Sequence, residues 1–278
     1  MHLSVHGAGT ALFLLHPFPF DGRVYDEIAP AIGAFARCSV VDLAGSGRSR
    51  TPAPRTLDEH ATLIVNKLDE QKIDRVILGG LSFGGYLALV FARRFPERLA
   101  GLLLMSTRAA SDTPEIRRQR NDAIALVETR GVHALVAKQL PTWLSPKAPA
   151  AARDVATSIA MSQRPATVLA GLAAMLDRED ATPLLAKIAV PTHIVSGSVD
   201  TLTRPEEMRR LLAIPGAVFH AVEGASHLIA QTHPEALIEA ARALVRDVEA
   251  LQCNAGVSLP QHRRGSVLGV AREEVKEA

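Results

Sequence analysis

Between Val76 and Arg94 the sequence passes from a strand pattern to a helix pattern through one serine. Val76 to Leu81 is a short apolar run, β-branched at its start and glycine-rich near its end, which suits a strand buried on both faces. From Gly84 onward Leu87, Leu89, Val90 and Phe91 recur at helical spacing, and Arg93-Arg94 sit where cations favour a helix C-terminus. The turn between them, Gly80-Leu-Ser82-Phe-Gly84, is a G-x-S-x-G. Such a turn strains the serine backbone and pushes its hydroxyl out of the sheet, while glycines on either side let the helix pack back. Five residues alone are weak evidence, since a plain glycine-rich βα turn with a bystander serine reads the same. The strand before and the helix after give the pattern its weight.

Other apolar runs recur in the order expected of a parallel sheet with crossover helices. Strands are predicted at Leu12–Leu15, Cys38–Asp42, Val76–Leu81, Gly101–Met105, His193–Ser196 and Val218–Val222, with a weaker one at Met1–Val5. Helices fit Val24–Ala34, Leu57–Glu70, Phe83–Arg94, Pro205–Ile214 and Pro234–Leu251. Thr56-Leu-Asp-Glu59 reads as a capping box opening the second of these. From Ser106 to Ile188 the alternation gives way to helical patterns at Pro114–Arg130, Val132–Leu140, Ala150–Met161 and Thr167–Asp177, punctuated by prolines. A helical block followed by a return to the sheet reads as a lid inserted between two strands.

Composition narrows the partners. The 278 residues carry 31 basic and 29 acidic side chains, a net +2 that argues neither for nucleic acid nor for a charged membrane surface. Arg117-Arg118-Gln-Arg120 and His262-Arg263-Arg264 read as a solvated helix face and a tail. Cys38 and Cys253 are too few for a disulfide framework and are expected as reduced thiols in a cytoplasmic protein. The start at Met1 lacks the basic and apolar regions of a secretory signal, and no run approaches a membrane span. The chain has no Walker-type loop, C-x-x-C or H-E-x-x-H, and Gly45-Ser-Gly47 lacks the third glycine of a dinucleotide fingerprint.

A serine hydroxyl needs a base within hydrogen-bond reach, itself oriented by a carboxylate. Val195-Ser-Gly-Ser-Val-Asp200 puts an acid just past a strand, where open α/β sheets build their sites. Val222-Glu-Gly-Ala-Ser-His227 does the same with a histidine. An aspartate there also suits an Asx-turn or helix cap. Asp177 and Asp180 are weaker candidates, and Glu223 lies before the turn. His220 inside a strand and His233 before Pro234 look structural. An oxyanion hole needs the N–H of the residue after the nucleophile, Phe83, and another from the loop after an early strand. In His16-Pro-Phe-Pro-Phe-Asp-Gly22, Pro17 and Pro19 have no N–H, so Phe18 is the first donor after His16.

Leu15-His-Pro-Phe-Pro19, Asp42-Leu-Ala-Gly-Ser-Gly-Arg-Ser49, Gly80-Leu-Ser-Phe-Gly84, Gly197-Ser-Val-Asp200 and Gly224-Ala-Ser-His227 resemble the ordered signatures of the α/β-hydrolase superfamily. The resemblance runs from about residue 3 to 250 and is nearest to small cofactor-free enol-lactonases, carboxylesterases and perhydrolases. It implies a mostly parallel sheet flanked by helices, with 1–106 and 188–251 as the hydrolase core and 107–187 as a helical cap. It implies Ser82 as nucleophile, His227 as base, Asp200 as its orienter and Phe18 and Phe83 as oxyanion donors. His16, Trp143 and Leu228 are expected at the substrate pocket, with no metal or cofactor. Two positions depart from the pattern: Pro17 replaces the usual glycine after His16, and Ala44 the usual proline near Asp42.

The expected activity is hydrolysis of a small carboxylic ester or lactone. Alternatives are a perhydrolase, thioesterase or carbon–carbon bond hydrolase using the same residues, or a non-catalytic ligand receptor on the same fold. The carbon–carbon hydrolases usually carry a tryptophan soon after the histidine, which His227-Leu-Ile-Ala-Gln231 lacks. Gln252 to Ser266 is polar, broken by glycine and proline and without period, Val267 to Ala278 carries only a short charged helical pattern, and 252–278 is expected to form a peripheral tail.

Overall fold

The computed structural model describes residues 1–254. Among them, apolar segments form one sheet: β1 (His2–His6), β2 (Ala11–Leu15), β3 (Arg37–Asp42), β4 (Val76–Leu81), β5 (Leu99–Met105), β6 (Thr192–Gly197) and β7 (Val218–Val222). Their spatial order is β1-β3-β2-β4-β5-β6-β7. Only β1 runs antiparallel to its neighbour; the rest pair in parallel. β4, β5 and β6 are buried at every position, which is why β4 and β5 read as continuous apolar runs rather than alternating ones, whereas β6 also buries Thr192, His193 and Ser196. Leu102, Leu103 and Leu104 are each at most 1% exposed, a burial worth about 1.5–3 kcal/mol per side chain.

The connections fix where a site can lie. β2 leads to β3 on one side, whereas β4 leads to β5 on the other. The carboxyl ends of β2 and β4 therefore diverge, opening a crevice of the kind in which such sheets bind ligands. The loop from His16 and the turn at Ser82 sit at those two ends.

In chain order the helices are α1 (Ala29–Gly33), α2 (Leu57–Glu70), α3 (Phe83–Arg94), α4 (Pro114–Trp143), α5 (Ala150–Met161), α6 (Pro165–Leu176), α7 (Pro205–Arg209), α8 (Ile229–Thr232) and α9 (Pro234–Asn254). Thr56 caps α2 as its sequence predicts, its Oγ1 accepting from Glu59 N at 3.2 Å. α4 is broken at Gly131 (φ 78°, ψ 175°), between the two helices expected there. The single helix expected over Val24–Ala34 is instead a 3-10 turn, Gly22–Tyr25, followed by the short α1. Pro30 lacks an N–H and sits in the first turn of α1, where proline is tolerated. The helix expected over Pro205–Ile214 likewise tightens into a 3-10 turn after Arg209.

α4 to α6 lie between β5 and β6 in the chain, and α4 packs against both α5 and α6. Gln252 to Asn254 extend α9 beyond the expected end at Leu251, and the rest of the 252–278 tail lies outside the described residues. Cys38 is buried, Cys253 is exposed, and both are free thiols. No helix among the described residues is long and apolar enough to cross a membrane.

Candidate active site

Ser82 stands at the end of β4 with φ 53° and ψ −108°, a left-handed conformation that costs a side-chain-bearing residue energy. The surroundings hold it there. Its N–H donates to the Met105 carbonyl (2.9 Å), and its own carbonyl accepts from Gly85 N (2.9 Å), Tyr86 N (3.1 Å) and Thr107 Oγ1 (2.9 Å). The flanking glycines are required by space. A Cβ on Gly80 would lie 2.3 Å from the Gly84 carbonyl oxygen, and one on Gly84 would lie 2.1 Å from that of Leu15.

Asp200 and His227 follow β6 and β7. Asp200 Oδ2 accepts from His227 Nδ1 at 2.9 Å, while Oδ1 accepts from Leu202 N and Thr203 N, each at 2.9 Å. Both residues are almost wholly buried. Burial alone pushes the Asp200 carboxyl up, but His227 and the two backbone donors together hold it below the ordinary carboxylate value. An ionised Asp200 fixes the imidazole proton on Nδ1 and leaves Nε2 as the free acceptor. Among the described residues, neither Nε2 nor the Ser82 hydroxyl is hydrogen-bonded to the protein.

Asp180, His220 and His233 are engaged elsewhere. Asp180 Oδ1 accepts from Thr182 N (2.8 Å), His220 Nε2 meets His193 Nδ1 (3.0 Å), and His233 Nδ1 meets Thr232 Oγ1 (2.9 Å).

The loop after β2 is pinned by His16. Its Nε2 accepts from Leu43 N (3.2 Å), so the proton is on Nδ1, which donates to the Pro17 carbonyl (2.9 Å). Burial holds the imidazole below its ordinary pKa and keeps it neutral. Asp42 ties the same loop to its own turn, accepting from Gly22 N and Arg48 N, each at 2.9 Å. Neither Phe18 N nor Phe83 N donates to a protein acceptor among the described residues. Phe83 opens α3, where the first N–H groups have no partner within the helix.

A cavity of about 990 Å³ opens above Ser82, bounded by Phe18 and Tyr86 from the body and by Leu135, Trp143 and Leu172 from the helical block. Trp143 meets Phe20 edge-on at 4.9 Å. His16 instead lines a small neighbouring void with Phe18, Phe83, His60 and Gln163. Leu228 is fully buried and faces neither space; its N–H donates to the Trp143 carbonyl (3.1 Å). Sequence reasoning passed over two residues that line the large cavity, Tyr86 and Arg108. The signal was available: Tyr86 is one helical turn past Ser82, and Arg108 follows the carboxyl end of β5. Among the described residues no group of three or more His, Cys, Asp or Glu side chains could hold a metal ion.

A mostly parallel sheet, a strained serine between strand and helix, and a histidine–carboxylate pair on later strand ends are together the pattern of an α/β hydrolase. Residues 5–240 match the family described as "Alpha/beta hydrolase family", and the chain belongs to it. The chain is 28% identical over 255 residues to a pimeloyl-[acyl-carrier protein] methyl ester esterase of Neisseria meningitidis, covering 88% of this chain and 80% of the relative. Among solved structures it is similar to a thermophilic esterase from Thermogutta terrifontis with malate bound. That match has TM-score 0.85 and 30% identity, over 89% of this chain and 93% of the other. An enol-lactonase from Burkholderia xenovorans shares the fold at TM-score 0.80 and 23% identity, over 88% and 96% of the chains.

Proposed function

We propose that this protein is a serine hydrolase that cleaves a small carboxylic ester or lactone through an acyl-enzyme. His227 Nε2 takes the Ser82 proton as Oγ attacks the ester carbonyl carbon. Phe18 N and Phe83 N donate to the oxyanion that develops. Collapse of the tetrahedral intermediate expels the alcohol, which takes the proton from His227 and leaves an acyl-Ser82 ester. Water, deprotonated by the same histidine, then releases the acid. Asp200 stabilises the imidazolium and keeps its tautomer. The helices α4 to α6 act as the cap of the site, over a body formed by 1–106 and 188–251.

The observation that carries this reading is the buried Asp200–His227 hydrogen bond on the sheet end that also presents the strained Ser82. Names of relatives at 28–30% identity support the ester half, since both are called esterases. The lactone half rests on the sequence resemblance alone, because the enol-lactonase match shows only the fold.

Ser82→Ala tests it. On any ester turned over, kcat should fall by about 10⁴–10⁶, with the melting temperature retained. A fluorophosphonate should label the wild-type enzyme on Ser82 alone, read by peptide mass spectrometry. Activity within tenfold of wild type in the alanine variant would remove Ser82 from the nucleophile's role.

A further inference from the structure

The large cavity is lopsided in charge. Five basic side chains line it (Arg108, Arg120, Lys138, Arg204 and Arg210) against three acids. Arg120 is already matched to Asp112, but Asp112 also serves Arg178, so one carboxylate answers two guanidiniums there. Glu207 is divided in the same way: Oε2 accepts from Arg204 N (3.2 Å), and Oε1 reaches Arg108 Nη1 only at 3.4 Å.

Arg108 is the deepest of these cations on the Ser82 side. Its side chain is 9% exposed, and its Nε meets Tyr86 Oη at 3.4 Å. Nη2 donates to no protein acceptor among the described residues, yet it is not among the atoms sealed from solvent. Two of the five guanidinium donors therefore have long partners at 3.4 Å, and the other three have none among the described residues. A desolvated, under-matched fork of this kind suits a planar acceptor with two oxygens.

The residues on either side of the fork are tied to the proposed nucleophile. Thr107, its chain neighbour, bonds the Ser82 carbonyl, and so does the N–H of Tyr86. Tyr86 reports the surplus of positive charge. Burial raises its hydroxyl, but Arg108, Arg120 and Arg178 together bring it below the ordinary tyrosine value. The Arg178 guanidinium lies 4.2 Å above the Tyr86 ring centroid.

We infer that the substrate carries a free carboxylate, and that Arg108, backed by Tyr86, is the residue that selects it. The inference rests on the hydrolase reading for the ester but not for the anion. A carboxylate held by Arg108 would replace Glu207 as the acceptor of Nη1 and satisfy Nη2, leaving the ester end to reach Ser82. The substrate class is then the half-ester of a short dicarboxylic acid.

Two measurements separate the two readings. The first compares kcat/KM for the 4-nitrophenyl half-ester of glutaric acid with that for 4-nitrophenyl pentanoate, which has a methyl in place of the distal carboxylate. Wild type should prefer the half-ester at least tenfold, and Arg108→Met should cut that ratio by about 10- to 100-fold. Arg108→Lys should fall between, keeping charge without the fork. Glu207→Gln, which keeps an acceptor for Arg204 N, should raise the ratio by freeing Arg108. The second uses Trp143, the sole tryptophan of the chain and a cavity wall, as a fluorescence probe of binding without turnover. Glutarate should bind at least tenfold more tightly than glutaramide, its neutral diamide, and Arg108→Met should erase the difference.

A wild-type ratio near one, or ratios unmoved by both Arg108→Lys and Glu207→Gln, would overturn the inference. Inorganic phosphate binding as tightly as glutarate would overturn the carboxylate assignment. Absence of Ser82-dependent turnover of either ester would instead fail the hydrolase reading, and the glutarate–glutaramide binding difference would still decide the anion site.

Discussion

Asp200 gives one oxygen to His227 Nδ1 at 2.9 Å and the other to two backbone N–H groups at the same distance, so its orientation is over-determined. Asp200→Asn tests what that orientation does. The amide oxygen can keep the Leu202 and Thr203 donors, which puts the amide NH₂ against Nδ1. His227 must then carry its proton on Nε2 and cannot accept one from Ser82. We expect kcat to fall about 10³–10⁴-fold with the fold intact. Asp180→Asn, whose carboxylate caps a turn at Thr182, serves as the control. A larger loss there than at Asp200 would move the acid to Asp180.

Gly84→Ala should fail for a steric reason. The new Cβ would meet the carbonyl oxygen of Leu15 at 2.1 Å and its carbonyl carbon at 2.7 Å, both backbone atoms of a central strand. Neither can move without disturbing β2 or the turn that carries Ser82. The expected cost is about 1–3 kcal/mol or more in urea unfolding, with activity falling further than stability. A variant as stable and active as wild type would show that the helix does not approach β2 so closely.

Much of this architecture was legible because its strands are buried on both faces. Val76–Leu81 and the run after Leu99 announce themselves as unbroken apolar segments, and the Gly131 break fell between two expected helices. Asp200 and His227 were legible as residues just past strand ends. The charged wall of the cavity was not. Arg117-Arg118-Gln-Arg120 carries helical spacing with no apolar partner nearby, so it reads as a solvated face. Arg118 is indeed exposed, but the Arg120 side chain is only 13% exposed and is bound to Asp112. That partner is eight residues away, and Arg178, the second partner, is sixty-six away. A pairing between one helix and the segment beyond two others leaves no local periodicity to read.

His60 should make stability depend on pH. It is buried beside Phe83, and burial, helped by the nearby His16, lowers its pKa from 6.5 to about 4. The unfolded chain thus binds a proton that the folded one refuses between those values. Stability is full above pH 6.5 and falls as pH drops toward 4, by up to roughly 3 kcal/mol from this group. His60→Leu should flatten that part of the curve, measured by urea unfolding at pH 7, 5.5 and 4.5. Parallel curves for the two proteins would mean that His60 is not held neutral.

Asp112 is a buried carboxylate that two guanidiniums share. Its side chain is 1% exposed and accepts from Arg178 Nη2 at 3.0 Å and from Arg120, whose own side chains are 2% and 13% exposed. Arg178 also donates to the carbonyls of Ala109 and Ala110, so the ion pair ties the segment just after α6 to the loop that follows β5. Removing the single carboxylate leaves the buried Arg178 guanidinium, and Arg120 at the cavity wall, without their shared acceptor, a loss of about 3–5 kcal/mol in Asp112→Asn. The pH dependence has a definite sign. Burial pushes Asp112 up, but hydrogen bonds and charge from Arg120 and Arg178 bring its carboxyl below the ordinary value. The stabilisation is therefore present above about pH 4 and is lost as pH falls through the depressed folded value. Wild type and variant should differ fully at pH 7 and converge in strong acid. Replacing Arg178 as well, in Asp112→Asn with Arg178→Met, should recover part of the loss, since an unpaired buried cation costs more than an absent pair. If the double variant is no more stable than Asp112→Asn alone, the carboxylate contributes packing or backbone contacts rather than charge compensation.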